Sequence, residues 1–415
     1  MKSIKILFLL SIILCFNGCS TSKYININPN LPQKPSKSGE PNNKPSSTFP
    51  TTQPSGATPT TLEPSPTQRS EPLSNAPKPG NFSSSIEQLR SMTLEEKVGQ
   101  MFFVRCNEKT AVTDIKQYHL GGFILFANNF ANYDKTSIKS LLGSYQSISD
   151  IPLLIGVDEE GGTVNRISKY PAFRAEPFWS PQALYSLGGF HQITTDTIEK
   201  SKLLLSLGIN VNLAPVCDVS TNSSDFIYGR SFGKPAQDTG AYVKTIVKAM
   251  KSQKIGSTLK HFPGYGNNID THTGVAIDNR GSETFYSSDF LPFEAGIKAG
   301  AGSILVCHNI VKTFDPDFPA SLSPAIHTIL RQKLKFKGVI MTDDLSMNAI
   351  KDYTNNENAA VLAVLAGNDL LIASDYSVQI PAVIDAVKNK KISVNRINES
   401  VLRILEWKKT LGLFN

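Results

Sequence analysis

Eight short apolar runs, rich in β-branched residues, recur between residues 101 and 373. They read MFFVR at 101–105, GGFILF at 121–126, PLLIGVD at 152–158 and NVNLAPV at 210–216. The second half continues with STLKHF at 257–262, SILVCH at 303–308, GVIMTD at 338–343 and DLLIA at 369–373. Between most of them lie helical patterns, at 195–207, 236–253, 289–299, 323–334, 357–366 and 377–388. Near-continuous apolar strands are buried on both faces, which a parallel sheet with helical crossovers provides. Eight such units predict an α/β fold, a (β/α)8 TIM-type barrel forming a single globular domain over 86–415. An open doubly wound sheet would carry a glycine-rich phosphate loop after its first strand, and the sequence has none there. Val394, Ile397, Val401, Ile404, Leu405 and Trp407 recur at helical spacing and predict a closing helix over 393–411. No G-X-Y period, heptad run or second long apolar run appears, which excludes collagen, a coiled coil and a multi-span membrane protein.

The first fifth of the chain has a different composition. Thirteen of the 25 prolines lie between Pro29 and Pro79, among Ser, Thr, Asn and Lys. Such a segment buries too little surface to offset its chain entropy, so residues 20–85 are expected to be a disordered tether. As a flexible coil it reaches ~40–50 Å. Ahead of it, Lys2 and Lys5 precede an apolar run, Ile6–Phe16, too short to span a bilayer. This predicts an export signal over 1–19. Gly18-Cys19 at its end resembles a bacterial lipoprotein signal, which implies a lipid anchor on Cys19 at the outer face of the cell membrane, facing the cell wall. The net charge of +7 comes without an arginine-rich helix or a basic-aromatic ladder, so no nucleic-acid partner is expected. Cys106, Cys217 and Cys307 sit in strand-like apolar surroundings and read as buried small hydrophobes rather than a disulfide framework.

In a barrel of this type, chemistry sits at the C-terminal ends of the strands. Here those ends read Asp158, Asp218, Lys260-His261, His308 and Asp343. The segment after 257–262 reads HFPGYGNNIDTH and holds Asp270 and His272 two residues apart, on one side of extended backbone. A carboxylate beside an imidazole fixes its tautomer and suits it to general acid and base work near neutral pH. Asp343 ends an apolar strand, where an unused carboxylate is costly, and is a candidate nucleophile. One of Asp343 and Asp344 is expected to cap the next element. Asp158 lies in GVDEEGGTVNR, where it can accept sugar hydroxyls and where Arg166 can lock the carboxylate or bind substrate.

With these residues in place, the chain resembles a family 3 glycoside hydrolase of the single-domain β-N-acetylhexosaminidase branch. The segments EEKVGQM, GGFILFANN, GVDEEGGTVNR, LGINVNLAPVCDV, YGRSFG, KHFPGYGNNIDTH and GVIMTDDLSM carry the resemblance, in order, across residues 94–350. The resemblance implies Asp343 as nucleophile, His272 as acid/base and Asp270 as its dyad partner. It implies sugar binding by Asp158, Arg166, Arg230, Lys260 and His261, with His308 lining the pocket. It further implies a retaining exo-β-N-acetylglucosaminidase acting on terminal GlcNAc of muropeptides or chitooligosaccharides, monomeric, with no metal and no organic cofactor. Two residues depart from the branch. Tyr265 stands where His is usual and Glu159 where Gln is common, and both are expected to tune specificity or loop motion. The competing readings are a family 3 enzyme for another β-sugar and a non-catalytic glycan-binding lipoprotein.

Overall fold

A computed structural model describes residues 85–269, 274, 276–347, 350, 353–354 and 357–414. The expected signal peptide, Cys19 and nearly all of the expected tether lie outside the described residues.

Eight strands form one sheet: β1 Phe102–Arg105, β2 Gly122–Leu125, β3 Leu154–Val157, β4 Val211–Asn212, β5 Gly256–Phe262, β6 Ser303–Val306, β7 Val339–Thr342 and β8 Leu371–Ala373. Seven lie inside the apolar run that predicted them, and β5 starts one residue early. Their order is β7-β6-β5-β4-β3-β2-β1-β8, and every neighbouring pair is parallel. A parallel bridge from Met341 to Leu370 joins β7 to the lead-in of β8, so the sheet curls into the expected (β/α)8 barrel.

The helices Ala236–Ser252, Phe290–Ala299, Ala359–Ala366, Tyr376–Lys388 and Val394–Thr410 match their patterns. Two others differ. The pattern over 195–207 belongs to a longer helix, Pro181–Ser206, started by Pro181 and by Ser180 Oγ accepting from the Ala183 N–H. Non-helical Gly188 and Gly189 break it internally, and that break hid the first half from a periodicity argument. The pattern over 323–334 divides into an α-helix, Pro324–Thr328, and a wider π-type turn, Ile329–Lys333. The main core packs the interior of the sheet (Phe103, Leu154, Val211, Met341 and Ile372) with the closing helix (Ile397, Val401, Ile404 and Leu405). Each fully buried aliphatic side chain contributes roughly 1.5–3 kcal/mol.

A buried acid secures the seam between β7 and β8. Asp369 is fully buried and accepts from the Ile340 N–H at 3.0 Å, binding β7 directly. The same carboxylate takes Arg331 at 2.5 Å, Arg403 at 3.0 Å and the Ser400 hydroxyl at 2.8 Å, and Arg396 lies 3.5 Å away. One acid thus ties β7, the entry to β8 and the closing helix together. Lys408, on that helix, is buried, has no carboxylate partner among the described residues and donates to Gln100 Oε1 at 2.7 Å. Burial pushes its ammonium down to about 7.

Two outcomes follow for stability. Asp369→Asn removes the charge that three guanidinium groups share and is expected to cost roughly 3 kcal/mol in urea unfolding. Lys408 in the folded chain titrates below its ordinary value of about 10.4. Its charged-form penalty is therefore complete below pH ~7 and fades toward pH ~10. Relative to Lys408→Met, the wild type should gain about 1 kcal/mol per pH unit between pH 7.5 and 9.5. A pH-independent difference in unfolding free energy would contradict this.

Candidate active site

Because all eight strands are parallel, their C-terminal ends share one rim. Strand β3 runs directly into Asp158-Glu159-Glu160. Alternation along extended backbone sends Asp158 and Glu160 to one side and Glu159 to the other. Glu159 is fully buried and accepts from the backbone N–H of Arg166 (2.8 Å), Ile167 (2.8 Å) and Ser168 (3.1 Å), and from the Ser168 hydroxyl. These contacts hold the following turn shut. These bonds all lie within the chain's own turn and give Glu159 an architectural role.

On the other side a chain of charges forms. Lys260, near the end of β5, places Nζ 2.5 Å from Asp158 Oδ1 and 2.7 Å from Glu160 Oε1. Arg230 grips Glu160 with both arms of its fork, Nε to Oε2 at 3.0 Å and Nη2 to Oε1 at 2.8 Å. Burial alone would neutralise Glu160, yet Lys260 and Arg230 hold its carboxyl well below the usual range. Burial would likewise strip the proton from Lys260, but Asp158 and Glu160 overcome it and raise the ammonium above its ordinary value. Glu160, Lys260 and Arg230 are therefore all charged at neutral pH. Glu160 was not singled out in the sequence, although its spacing of two from Asp158 already placed it on the same face.

His261 extends the chain. Its Nδ1 lies 2.8 Å from Asp218 Oδ2 and its Nε2 3.1 Å from Arg230 Nη2. A guanidinium only donates and a carboxylate only accepts, so the ring donates through Nδ1–H to Asp218 and accepts at Nε2. Asp218 also accepts from the Tyr265 N–H at 2.7 Å, which anchors the glycine-rich loop after β5. Tyr265 is buried with its ring edge-on to His261, centroids 5.2 Å apart. Arg166 stands at the outer margin with Nη2 4.0 Å from Asp158 Oδ2, and its Nε is buried with no hydrogen-bond partner among the described residues.

A second group lies at the ends of β6 and β7. Asp343 follows β7 directly, its N–H donating to Val306 O of β6 at 3.0 Å, and it is half-buried. Of the two adjacent acids, Asp343 accepts at Oδ1 from the Asp344 N–H at 2.8 Å, and Asp344 makes the bonds that reach onward in the chain. Its oxygens accept from the Ser346 N–H and the Ser374 hydroxyl, both at 2.9 Å. His308 is fully buried between Ser321 Oγ (2.7 Å) and Asp344 O (3.0 Å). It thus props the turn that carries Asp343. Cys106, Cys217 and Cys307 are buried free thiols, as expected. The structure therefore joins Asp158, Arg166, Arg230, Lys260 and His261 in one network and sets Asp343 and His308 on the same rim. Asp270 and His272 lie outside the described residues.

Residues 93–407 match the glycosyl hydrolase family 3 N-terminal domain. The chain belongs to glycosyl hydrolase family 3. It is 32% identical over 325 residues to beta-hexosaminidase A of Pseudoalteromonas piscicida, a match covering 72% of this chain and 54% of that protein. The chain thus spans little more than half the length of that relative. It is 33% identical over 235 residues to a beta-hexosaminidase of Xanthomonas campestris pv. campestris, covering 55% of this chain and 70% of the relative. Among solved structures, a family 3 β-N-acetylglucosaminidase from Paenibacillus sp. strain FPU-7 superposes with a TM-score of 0.73 at 30% identity, over 78% of this chain and 63% of the other. LpqI of M. tuberculosis superposes with a TM-score of 0.72 at 26% identity, over 80% and 98%.

The charge chain makes Glu160 the shared partner of Lys260 and Arg230. Glu160→Gln leaves Lys260 and Arg230 with one fewer carboxylate in a buried site, and is expected to cost roughly 3 kcal/mol in urea unfolding. A change below about 0.5 kcal/mol, typical of surface sites, would show that the network carries no such weight.

Proposed function

We propose that the chain is a retaining exo-β-N-acetylglucosaminidase that removes terminal β-linked GlcNAc from muropeptides or chitooligosaccharides. The observation that carries the reading is the asymmetry among the rim carboxylates. Glu159, Glu160 and Asp218 are buried, while Asp158, held by Lys260, and Asp343, which accepts from the Asp344 N–H at 2.8 Å, are half-buried on the same rim. The names of the β-hexosaminidase relatives and of the Paenibacillus structure support the sugar assignment.

In this mechanism Asp343 attacks the anomeric carbon and forms a covalent glycosyl ester. His272, oriented by Asp270, protonates the departing glycosidic oxygen and then takes a proton from the incoming water. Asp158, held by Lys260, accepts sugar hydroxyls, and Arg166, Arg230 and His261 complete the sugar-binding wall. His308 acts by supporting the turn of Asp343. No metal or organic cofactor takes part. We place the protein outside the cell as a monomer, anchored through a lipid on Cys19, with residues 20–85 as a tether to wall glycan.

The test compares release of 4-nitrophenol from its β-N-acetylglucosaminide and its β-glucoside. The N-acetyl sugar should be strongly preferred. Asp343→Asn should lower kcat at least ~1,000-fold, as expected for a group that acts in the transition state. Preference for the glucoside would point to a family 3 enzyme for another sugar. Binding of chitooligosaccharides without turnover of either substrate would point to a glycan-binding lipoprotein.

A further inference from the structure

The glycine-rich loop after β5 is bolted at its outer edge by a buried ion cluster that the sugar-binding network does not use. Its hub is Arg280. Its Nε lies 3.0 Å from both oxygens of Asp278, and its Nη2 lies 2.7 Å from Asp278 Oδ2. Its Nη1 lies 3.0 and 3.1 Å from the two oxygens of Asp289. The remaining donor of Nη2 reaches Gly264 O at 3.2 Å, and the guanidinium stacks 4.5 Å over the Phe285 ring. Both acids are almost wholly buried.

The cluster joins two stretches of chain. One is 264–268, leaving β5. The other is 276–280, where Ile277–Asp278 pairs with Ile310–Val311 beyond β6. Asn268 adds a second tie, donating to Asp278 Oδ2 and to Tyr265 O, both at 2.8 Å. The space is so tight that it dictates the glycines. A Cβ on Gly264 would lie 2.4 Å from Asp289 Oδ1, and a Cβ on Gly266 would lie 2.4 Å from Arg280 Cζ. Both residues also have positive φ, 125° and 55°. The Gly-Tyr-Gly motif is thus shaped to wrap an arginine, and Asp218 fixes the same loop from the sugar side through Tyr265 N–H.

We propose that Arg280, with Asp278, Asp289 and Asn268, is the positioning device for the acid/base dyad. By clamping 264–268 to 276–280 it fixes both ends of the segment that carries Asp270 and His272, and so sets where His272 is delivered. Arg280 touches no substrate; it acts through the loop. This inference rests on the reading of His272 as acid/base.

The experiment measures kcat/KM for aryl β-N-acetylglucosaminides with leaving groups from 2,4-dinitrophenol to phenol. Wild type, His272→Ala, Arg280→Lys and Asn268→Ala are compared. Arg280→Lys keeps the positive charge but loses the fork that serves both acids and Gly264 O at once. If His272 is the acid, His272→Ala stays near wild type on the dinitrophenyl substrate and loses about 100-fold or more on the phenyl one. Arg280→Lys and Asn268→Ala should show the same steepening. Less than about threefold is lost on the dinitrophenyl substrate and about 10- to 100-fold on the phenyl one, the scale of an ångström of misplacement. A steep His272→Ala profile beside a uniform loss, or no loss, in both stem variants would overturn the positioning role and leave the dyad intact. A flat His272→Ala profile would overturn the acid/base reading and the positioning role with it. If Arg280→Lys does not fold, Asn268→Ala, which leaves the ion cluster whole, decides alone.

Discussion

Closure of the sheet is the constraint on which the rest depends. Eight parallel strands bring their C-terminal ends to one rim only if β7 meets β8, and β8 offers just three residues to the sheet. Backbone bonds cross the seam, among them Leu370 N–H to Ile340 O at 3.1 Å and Thr342 N–H to Leu370 O at 3.2 Å, and the Asp369 side chain reinforces them. Its carboxylate bonds the β7 backbone and collects three arginines, two of them from the closing helix. A buried carboxylate with so many donors is costly to break, because losing any partner exposes an uncompensated charge in a low-dielectric interior. The polar network at one end of the barrel thus serves the polar network at the other.

At the rim the same physics is turned to a different use. Lys260 sits between Asp158 and Glu160, Arg230 bridges Glu160 to His261, and Asp218 fixes His261 and the loop beyond it. These groups hold one another in place through direct contacts. A site whose dipoles and ions are set before substrate arrives spends little free energy on reorientation during reaction, which is the usual source of electrostatic stabilisation in enzymes. The division of labour is visible in burial. Glu159, Glu160 and Asp218 are buried, and Asp158, Asp343 and Asp344 are half-buried.

The barrel was legible in the sequence because its strands are buried on both faces and leave unbroken apolar runs. The rim was partly legible for the same reason, since Asp158, Lys260, His261, His308 and Asp343 each stand at the end of such a run. What escaped were residues whose importance is set by three-dimensional pairing. Glu160 looked like a neighbour of Asp158 until Lys260 and Arg230 closed on it. Asp218 was visible as a strand end but had no role until His261 and Tyr265 bonded to it. Glu159 reads like its neighbours in the sequence and turns the opposite way. Arg280, Asp278 and Asp289 lie in an ordinary polar stretch, and only the clash that a Cβ on Gly264 or Gly266 would suffer reveals why those glycines are there. The π-type turn at Ile329–Lys333 and the break at Gly188–Gly189 escaped because each interrupts the helical period.

The central claim is that Asp343 becomes covalently bonded to the sugar. The direct measurement is intact-mass and peptide analysis after incubation with a 5-fluoro N-acetylglucosaminyl fluoride, which forms the ester faster than water can cleave it. A mass increase of one fluorosugar residue is expected, located on the peptide containing Asp343 and absent in Asp343→Asn. Turnover of the reagent with no adduct, or an adduct on any other side chain, would contradict it.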